Sequence, residues 1–183
     1  MLSLSIRPPR RRLRAFILGA LLAGVANLAH AGDITAEEYR VKASFLFNFA
    51  AFTFWPEGGG ETLSICVYGG DPFGSHLDAL MDRKVGERSV RVRRVGSVDA
   101  LVDCQLVFVP RQMIGNLGRV LDGVDGQPVL TVADSPGALA SGVVLNMDSS
   151  AGQIRFSVNL AAARRQGLGL SSKLLNLATE IKR

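Results

Sequence analysis

Histidine is almost missing from this chain: two residues in 183, His30 and His76. Any Ser-His-Asp constellation in the body of the protein would have to use His76, and no G-x-S-x-G nucleophile elbow occurs anywhere. Cysteine is equally sparse, with Cys66 and Cys104 far apart in sequence. One histidine and two separated cysteines do not make the clustered spacing of a zinc site. Nor is there a glycine loop of the G-x-G-x-x-G or P-loop form. These absences leave no catalytic residue, metal ligand or cofactor to nominate. No acidic residue precedes Asp33, and no apolar run comfortably reaches the roughly 20 residues of a membrane-spanning helix.

What is present at the N-terminus explains the charge. The chain carries 21 Lys+Arg against 16 Asp+Glu, a net charge of +5 and a pI near 9.8, a balance that by itself suggests a polyanionic partner. Arg7, Arg10, Arg11, Arg12 and Arg14 all lie ahead of residue 15, and without these five the basic residues equal the 16 acidic ones. The arginines are followed by the apolar run Ala15–Ala29 and by Ala29-His30-Ala31. These are the n-region, h-region and A-x-A site of a secretory signal peptide. Cleavage between Ala31 and Gly32 removes residues 1–31, and residues 32–183 suit one neutral, exported, soluble domain without membrane insertion. Nucleic acid is not an expected partner. Export also places the two cysteines where disulfides persist, which points to a single Cys66–Cys104 bridge, with a pair of buried free thiols in apolar strands as the competing reading.

Thr35-Ala-Glu-Glu38 has capping-box form and predicts a helix start. Val41, Phe45, Phe49 and Phe52 follow at helical spacing, and Pro56 ends the element. Leu63–Tyr68, Val90–Arg93, Cys104–Val109 and Pro128–Ala133 read as strands, the third as a buried central one. The segments Gly142–Met147 and Gln153–Val158 flank a loop, Asp148–Gly152, and read as a hairpin. Helical segments are predicted after Gly74, over Met113–Leu121, after Asn159, and from Ser171-Ser172 through Ile181. Strands alternating with short helices predict an α/β sandwich, compact and single-domain, with a largely parallel sheet flanked by helices and a C-terminal antiparallel hairpin. Two features could hold an anion: the loop Gly69–Gly74, and the arginines Arg88, Arg91, Arg93 and Arg94. Each also has a plain reading, a strand-to-helix turn and a solvated face.

The order of these segments resembles the YfiR family of exported bacterial regulators. The stretches that carry the resemblance are EYRVKASFLFNFAAFTFWP (38–56), LSICVYGGDPF (63–73), DCQLVFV (103–109), PVLTVAD (128–134) and IRFSVNLAAARRQGLGLSSKLLNLA (154–178). They span nearly all of residues 32–183. The resemblance implies a non-enzymatic periplasmic protein with a compact α/β fold. It further implies a homodimer that binds the periplasmic sensor region of a membrane-bound diguanylate cyclase and represses it, lowering cyclic di-GMP and biofilm formation. A partner of the outer-membrane lipoprotein type sequesters such a repressor. The family relation favours the Cys66–Cys104 disulfide, while a second disulfide known in the family has no cysteines here.

The family does not fix the contact residues. Mixed apolar and charged side chains nominate Phe54 and Trp55 together with Arg164, Arg165, Leu168, Leu170, Ser171 and Ser172 as a partner or ligand surface. A small-molecule module for a nucleotide-like or carboxylate ligand is the alternative function.

Overall fold

The computed structural model describes residues 26–56, 60–150 and 152–183, with side chains from residue 36 onward. Residues 1–25 of the expected leader lie outside the described residues, as do Gly58 and Gly59, which with Gly60 read in the sequence as a flexible turn before the first strand. The chain divides into two units, Met1–Glu37 and Glu38–Arg183, and the second contains the whole sheet. The first described element, α1 (Ala26–Ala51), runs through Thr35 instead of starting there. In the full chain the alanine- and leucine-rich segment before Thr35 favours helix, so Thr35 has no free helix start to cap. Ala31 and Gly32 fall within α1.

After α1 come β1 (Thr53–Phe54), β2 (Thr62–Tyr68), α2 (Ser75–Asp78), β3 (Lys84–Val85), β4 (Arg88–Val95) and β5 (Leu106–Val109). A 3-10 turn, Arg111–Asn116, leads into α3 (Leu117–Gly123), then β6 (Leu130–Ala133), α4 (Ala138–Ser141), β7 (Leu145–Ser150) and β8 (Gln153–Asn159). The chain closes with α5 (Leu160–Arg165), β9 (Gly169–Leu170), α6 (Ser172–Leu177) and β10 (Glu180–Lys182). Eight strands form one sheet in the order β10-β8-β7-β6-β5-β2-β4-β3. Pairing is parallel except at β7–β8 and β3–β4. Because β2 lies between β4 and β5, the chain reverses its winding direction there, a topological switch point of the doubly wound type. This is the expected α/β sandwich with its C-terminal antiparallel hairpin.

Strand alternation divides the core in two. Leu63, Ile65, Val67, Leu106, Phe108, Leu130, Val132, Leu145, Met147 and Phe156 face α1. Cys66, Tyr68, Val107, Val109 and Ala133 face the opposite layer, where Leu117 and Val120 of α3 and Ala138 and Leu139 of α4 cover them. Helix α1 locks onto the sheet through aromatic pairs. Phe49 and Phe45 lie 5.0 and 5.9 Å from Phe156, and Tyr39 meets Phe73, which meets Phe108 at 4.9 Å. Each buried ring of this kind contributes about 1.5–3 kcal/mol. Cys66 and Cys104 form a disulfide inside the second layer, tying β2 to the start of β5.

Two further predicted elements differ. The expected loop Asp148–Gly152 is mostly strand: Asp148, Ser149 and Ser150 pair with Arg155, Ile154 and Gln153. The last helix stops at Leu177, and Glu180–Lys182 forms β10, parallel to β8. Its Ile181 had the spacing to extend the helix, but pairing with a distant strand outweighs local periodicity.

Candidate functional site

Three places can be judged as sites. The glycine loop follows β2 beside the switch point, yet its centre is already occupied by the chain's own carboxylate. Asp71 Oδ1 accepts from the Phe73 amide at 2.7 Å, and Asp71 Oδ2 pairs with Arg94 Nε at 2.7 Å. The Arg94 guanidinium also donates to the Gly74 carbonyl and pairs with Asp78, and these two carboxylates, Asp78 first, strengthen its hold on its proton. An incoming anion would meet Asp71 instead of free amides. Two of the other strand arginines are likewise engaged, while Arg91 is exposed. Arg88 donates to the Thr62 carbonyl, and Arg93 donates to the carbonyls of Val102 and Ala100. The basic patch read from the sequence is thus mostly internal bracing.

At the C-terminal end of β6, Lys42 of α1 is 1% exposed, its ammonium 2.6 Å from Asp134 Oδ2 and 2.6 Å from Glu38 Oε1. Tyr39 donates its hydroxyl to the same Asp134 oxygen at 3.1 Å. Burial, then the Asp134 charge, pushes the Tyr39 phenol well above its ordinary range, so it stays protonated and keeps donating. The Lys42 ammonium also lies over the Tyr39 ring. Asp134 Oδ1 and Ser135 Oγ are buried without a hydrogen-bond partner. Sequence periodicity places Lys42 beside the apolar face, whereas the buried stripe of α1 is Lys42, Ala43, Leu46, Phe49 and Ala50. Neutralisation by two carboxylates is what lets a lysine join it. The one local signal was the Glu38–Lys42 spacing of four residues.

The third place is a groove of about 420 Å³ at the C-terminal end of α1, lined by Ala51, Phe52, Phe54, Leu170, Ser171, Ser172 and Lys173. Pro56 disfavours helical geometry just before it, so the chain leaves α1 extended. Thr53 turns inward, its hydroxyl donating to the Phe49 carbonyl at 2.7 Å, and Phe54 turns out, 65% exposed. β1 pairs antiparallel with β9, Thr53 against Leu170 and Phe54 against Gly169. A side chain at Gly169 would meet Phe54 Cβ at 3.3 Å and the edge of its ring at 3.4 Å, so glycine lets the Phe54 side chain lie close over that backbone. The Ser171 amide donates to the Phe52 carbonyl, and its hydroxyl accepts from Leu174, capping α6.

Of the surface nominated from sequence, Phe54, Leu170, Ser171 and Ser172 come together in this groove. Leu168 does not. It is 5% exposed and packs in the core, because the chain turns inward after α5. Arg164 and Arg165 are exposed on α5 but do not line the groove, and the Arg165 guanidinium lies beside Gly142. Trp55 is half-buried, its indole nitrogen 3.4 Å from the Ala50 carbonyl. Phe52 and Lys173 were missed. Phe52 continues the helical pattern and so read as core, and an isolated lysine carries no pattern at all.

The model of the YfiR/HmsC-like family matches residues 39–179, from the Tyr39 that contacts Asp134 to the Thr179 that leads into β10. The chain belongs to the YfiR/HmsC-like family. Members of the YfiR/HmsC-like family are periplasmic regulators of diguanylate cyclases and not enzymes. No curated protein matches the chain. Among solved structures it is similar to a conserved domain protein from Vibrio cholerae, with 10% identity over 65% of this chain and 54% of the other and a TM-score of 0.49. It is also similar to an ABC domain in complex with L-Trp from Streptococcus pneumonia, with 9% identity over 65% of this chain and 55% of the other and a TM-score of 0.47. The chain therefore spans about half the length of these two structures. Among the described residues no helix is long and apolar enough to cross a membrane, and no group of three metal-ligating side chains occurs.

Proposed function

We propose that this YfiR/HmsC-like protein is a periplasmic repressor that works by binding the periplasmic sensor region of a membrane-bound diguanylate cyclase and holding it inactive. The outcome is lower cyclic di-GMP and less biofilm. The observation that supports binding at the α1 end is the groove itself. Phe54 stands 65% exposed over Gly169, flanked by Phe52 and Leu170 and rimmed by hydroxyls and Lys173. An aromatic anchor in an apolar depression with a polar rim is the composition of a binding hot spot. Repression follows if the protein binds the inactive state of the cyclase more tightly than the active one, since only differential affinity shifts that equilibrium. In this reading the protein is exported by a leader cleaved after Ala31, acts as a homodimer, and is sequestered by an outer-membrane lipoprotein when the cyclase is released.

Deleting the gene is expected to raise cyclic di-GMP and surface attachment, and the unaltered gene to restore both. Phe54→Ala should fold normally and weaken cyclase binding by about 2 kcal/mol, roughly 30-fold, so that it fails to restore repression. Trp55→Ala should have the smaller effect, because its indole is turned toward α1. Unchanged cyclic di-GMP on deletion counts against repression. Full complementation by Phe54→Ala removes the groove from the interface.

A further inference from the structure

Among the described residues the sheet ends at β10 on one side and at β3, backed by β4, on the other. An outer strand leaves backbone N–H and C=O groups without a neighbouring strand, and proteins guard such edges with charge. The two edges here are guarded differently. β3 and β4 carry Lys84, Arg88, Arg91, Arg93 and Arg94 and no acidic residue, so a second copy brought against that edge meets its own sign. β10 carries one charge of each sign, Glu180 and Lys182, on either side of Ile181. Both charged residues are exposed, and neither has a hydrogen-bond or ion-pair partner among the described residues. Pairing with β8 sets Glu180 beside Ser157, Ile181 beside the buried Val158 and Lys182 beside Asn159. Alternation therefore puts the two charges on one face of β10 and Ile181 on the face that Val158 shares with the α1 layer.

We propose that β10 is a dimer interface, pairing antiparallel with β10 of a second copy of this chain so that the two sheets run on across a two-fold axis at Ile181. The order Glu-Ile-Lys is self-complementary under that symmetry. Glu180 of each copy meets Lys182 of the other, and Ile181 meets Ile181. Directly opposed residues of antiparallel strands share a face with Cβ atoms about 4.5–5.5 Å apart, within reach of an ion pair. Sliding the register by two residues opposes Glu180 to Glu180 or Lys182 to Lys182, so the charges also select the register. Strands of three residues bury far less than the roughly 1,600 Å² of a standard interface, and the association is expected to be reversible at micromolar concentration. The inference rests on the homodimer of the preceding reading and names the surface that forms it; cyclase repression plays no part in it.

The test is analytical ultracentrifugation of the purified protein over a micromolar concentration series, in which the parent is expected to pass from monomer to dimer. Glu180→Lys and Lys182→Glu each change an exposed side chain and should melt like the parent. Each puts two like-charge pairs across the axis and should weaken dimerisation by about tenfold or more. An equimolar mixture of the two single variants should dimerise like the parent, because every opposed pair is again of opposite sign. The double exchange, Glu180→Lys with Lys182→Glu, should do the same by itself. A parent that stays monomeric overturns the homodimer and this surface together. If either single variant dimerises like the parent, the homodimer stands and β10 is overturned as its interface. Failure of both the mixture and the double exchange to recover dimerisation overturns it as well.

Discussion

Lys42→Ala is expected to destabilise the protein by about 3–5 kcal/mol, the usual cost of removing one member of a buried ion pair. Asp134 is 1% exposed, and one of its oxygens has no partner even with lysine present. Without the ammonium it would keep only the Tyr39 hydroxyl, so an almost uncompensated carboxylate would be left inside the fold. The truncated side chain also leaves a gap in the stripe by which α1 contacts the sheet. For a domain of this size the melting temperature should fall by roughly 10 °C. Lys42→Met combined with Asp134→Leu should recover most of that loss, because it fills the same space with apolar groups and leaves Glu38, which is 26% exposed in its side chain, to be solvated. If Lys42→Ala melts within about 2 °C of the parent, a shift worth about 0.5–1 kcal/mol, the buried pair contributes far less than its geometry suggests.

Removing the disulfide should have an effect of similar size by a different route. Cys66 and Cys104 are 38 residues apart, and closing a loop of that length lowers the entropy of the unfolded chain by an amount worth about 4 kcal/mol. Cys66→Ala with Cys104→Ala, followed by urea unfolding, should give a lower midpoint and a steeper dependence on denaturant, since the unlinked unfolded chain exposes more surface. Reducing the parent protein should move its midpoint in the same direction. A double variant that unfolds at the parent's midpoint would show that packing around β2 and β5, and not the cross-link, holds this layer. With the family's second bridge lacking cysteines, this one carries the whole of that constraint.

The parts that were legible in the sequence are those whose signal is local. Leu63–Tyr68, Leu106–Val109 and Leu130–Ala133 are short apolar runs bounded by Gly, Pro and Asp, and each forms a strand of the parallel sheet. Asn159 and Ser171 sit one residue ahead of helices and cap them with their side chains. Asp148, Ser149 and Ser150 read as loop because polar runs ordinarily do. They form strand because one face of β7 is uncovered, so no apolar alternation marks it. Glu180–Lys182 gave no strand signal, since three residues become a strand only where β8 is there to pair with them.

The candidate site divides along the same line. Phe54 was marked by its place in an aromatic run closed by Trp55-Pro56, and Leu170 to Ser172 by a mixed segment with a cap. That these two stretches, more than a hundred positions apart, face each other depends on the β1–β9 pairing, which no local pattern specifies. Leu168 and Leu170 look alike in sequence, yet one packs in the core and the other lines the groove.

The sequence by itself determined the family to which the chain belongs, the basic leader-like terminus and the parallel α/β plan. All of these rest on residue identity and on spacing within single segments. Only the tertiary structure decided which charged groups are free. Lys42 is drawn inside by Asp134, Arg93 and Arg94 are spent on loops, and Asp148 and Arg155 stand opposite each other without pairing. A charge acquires its role from its neighbours in space, because Coulomb energy and desolvation depend on distance and burial and not on position along the chain.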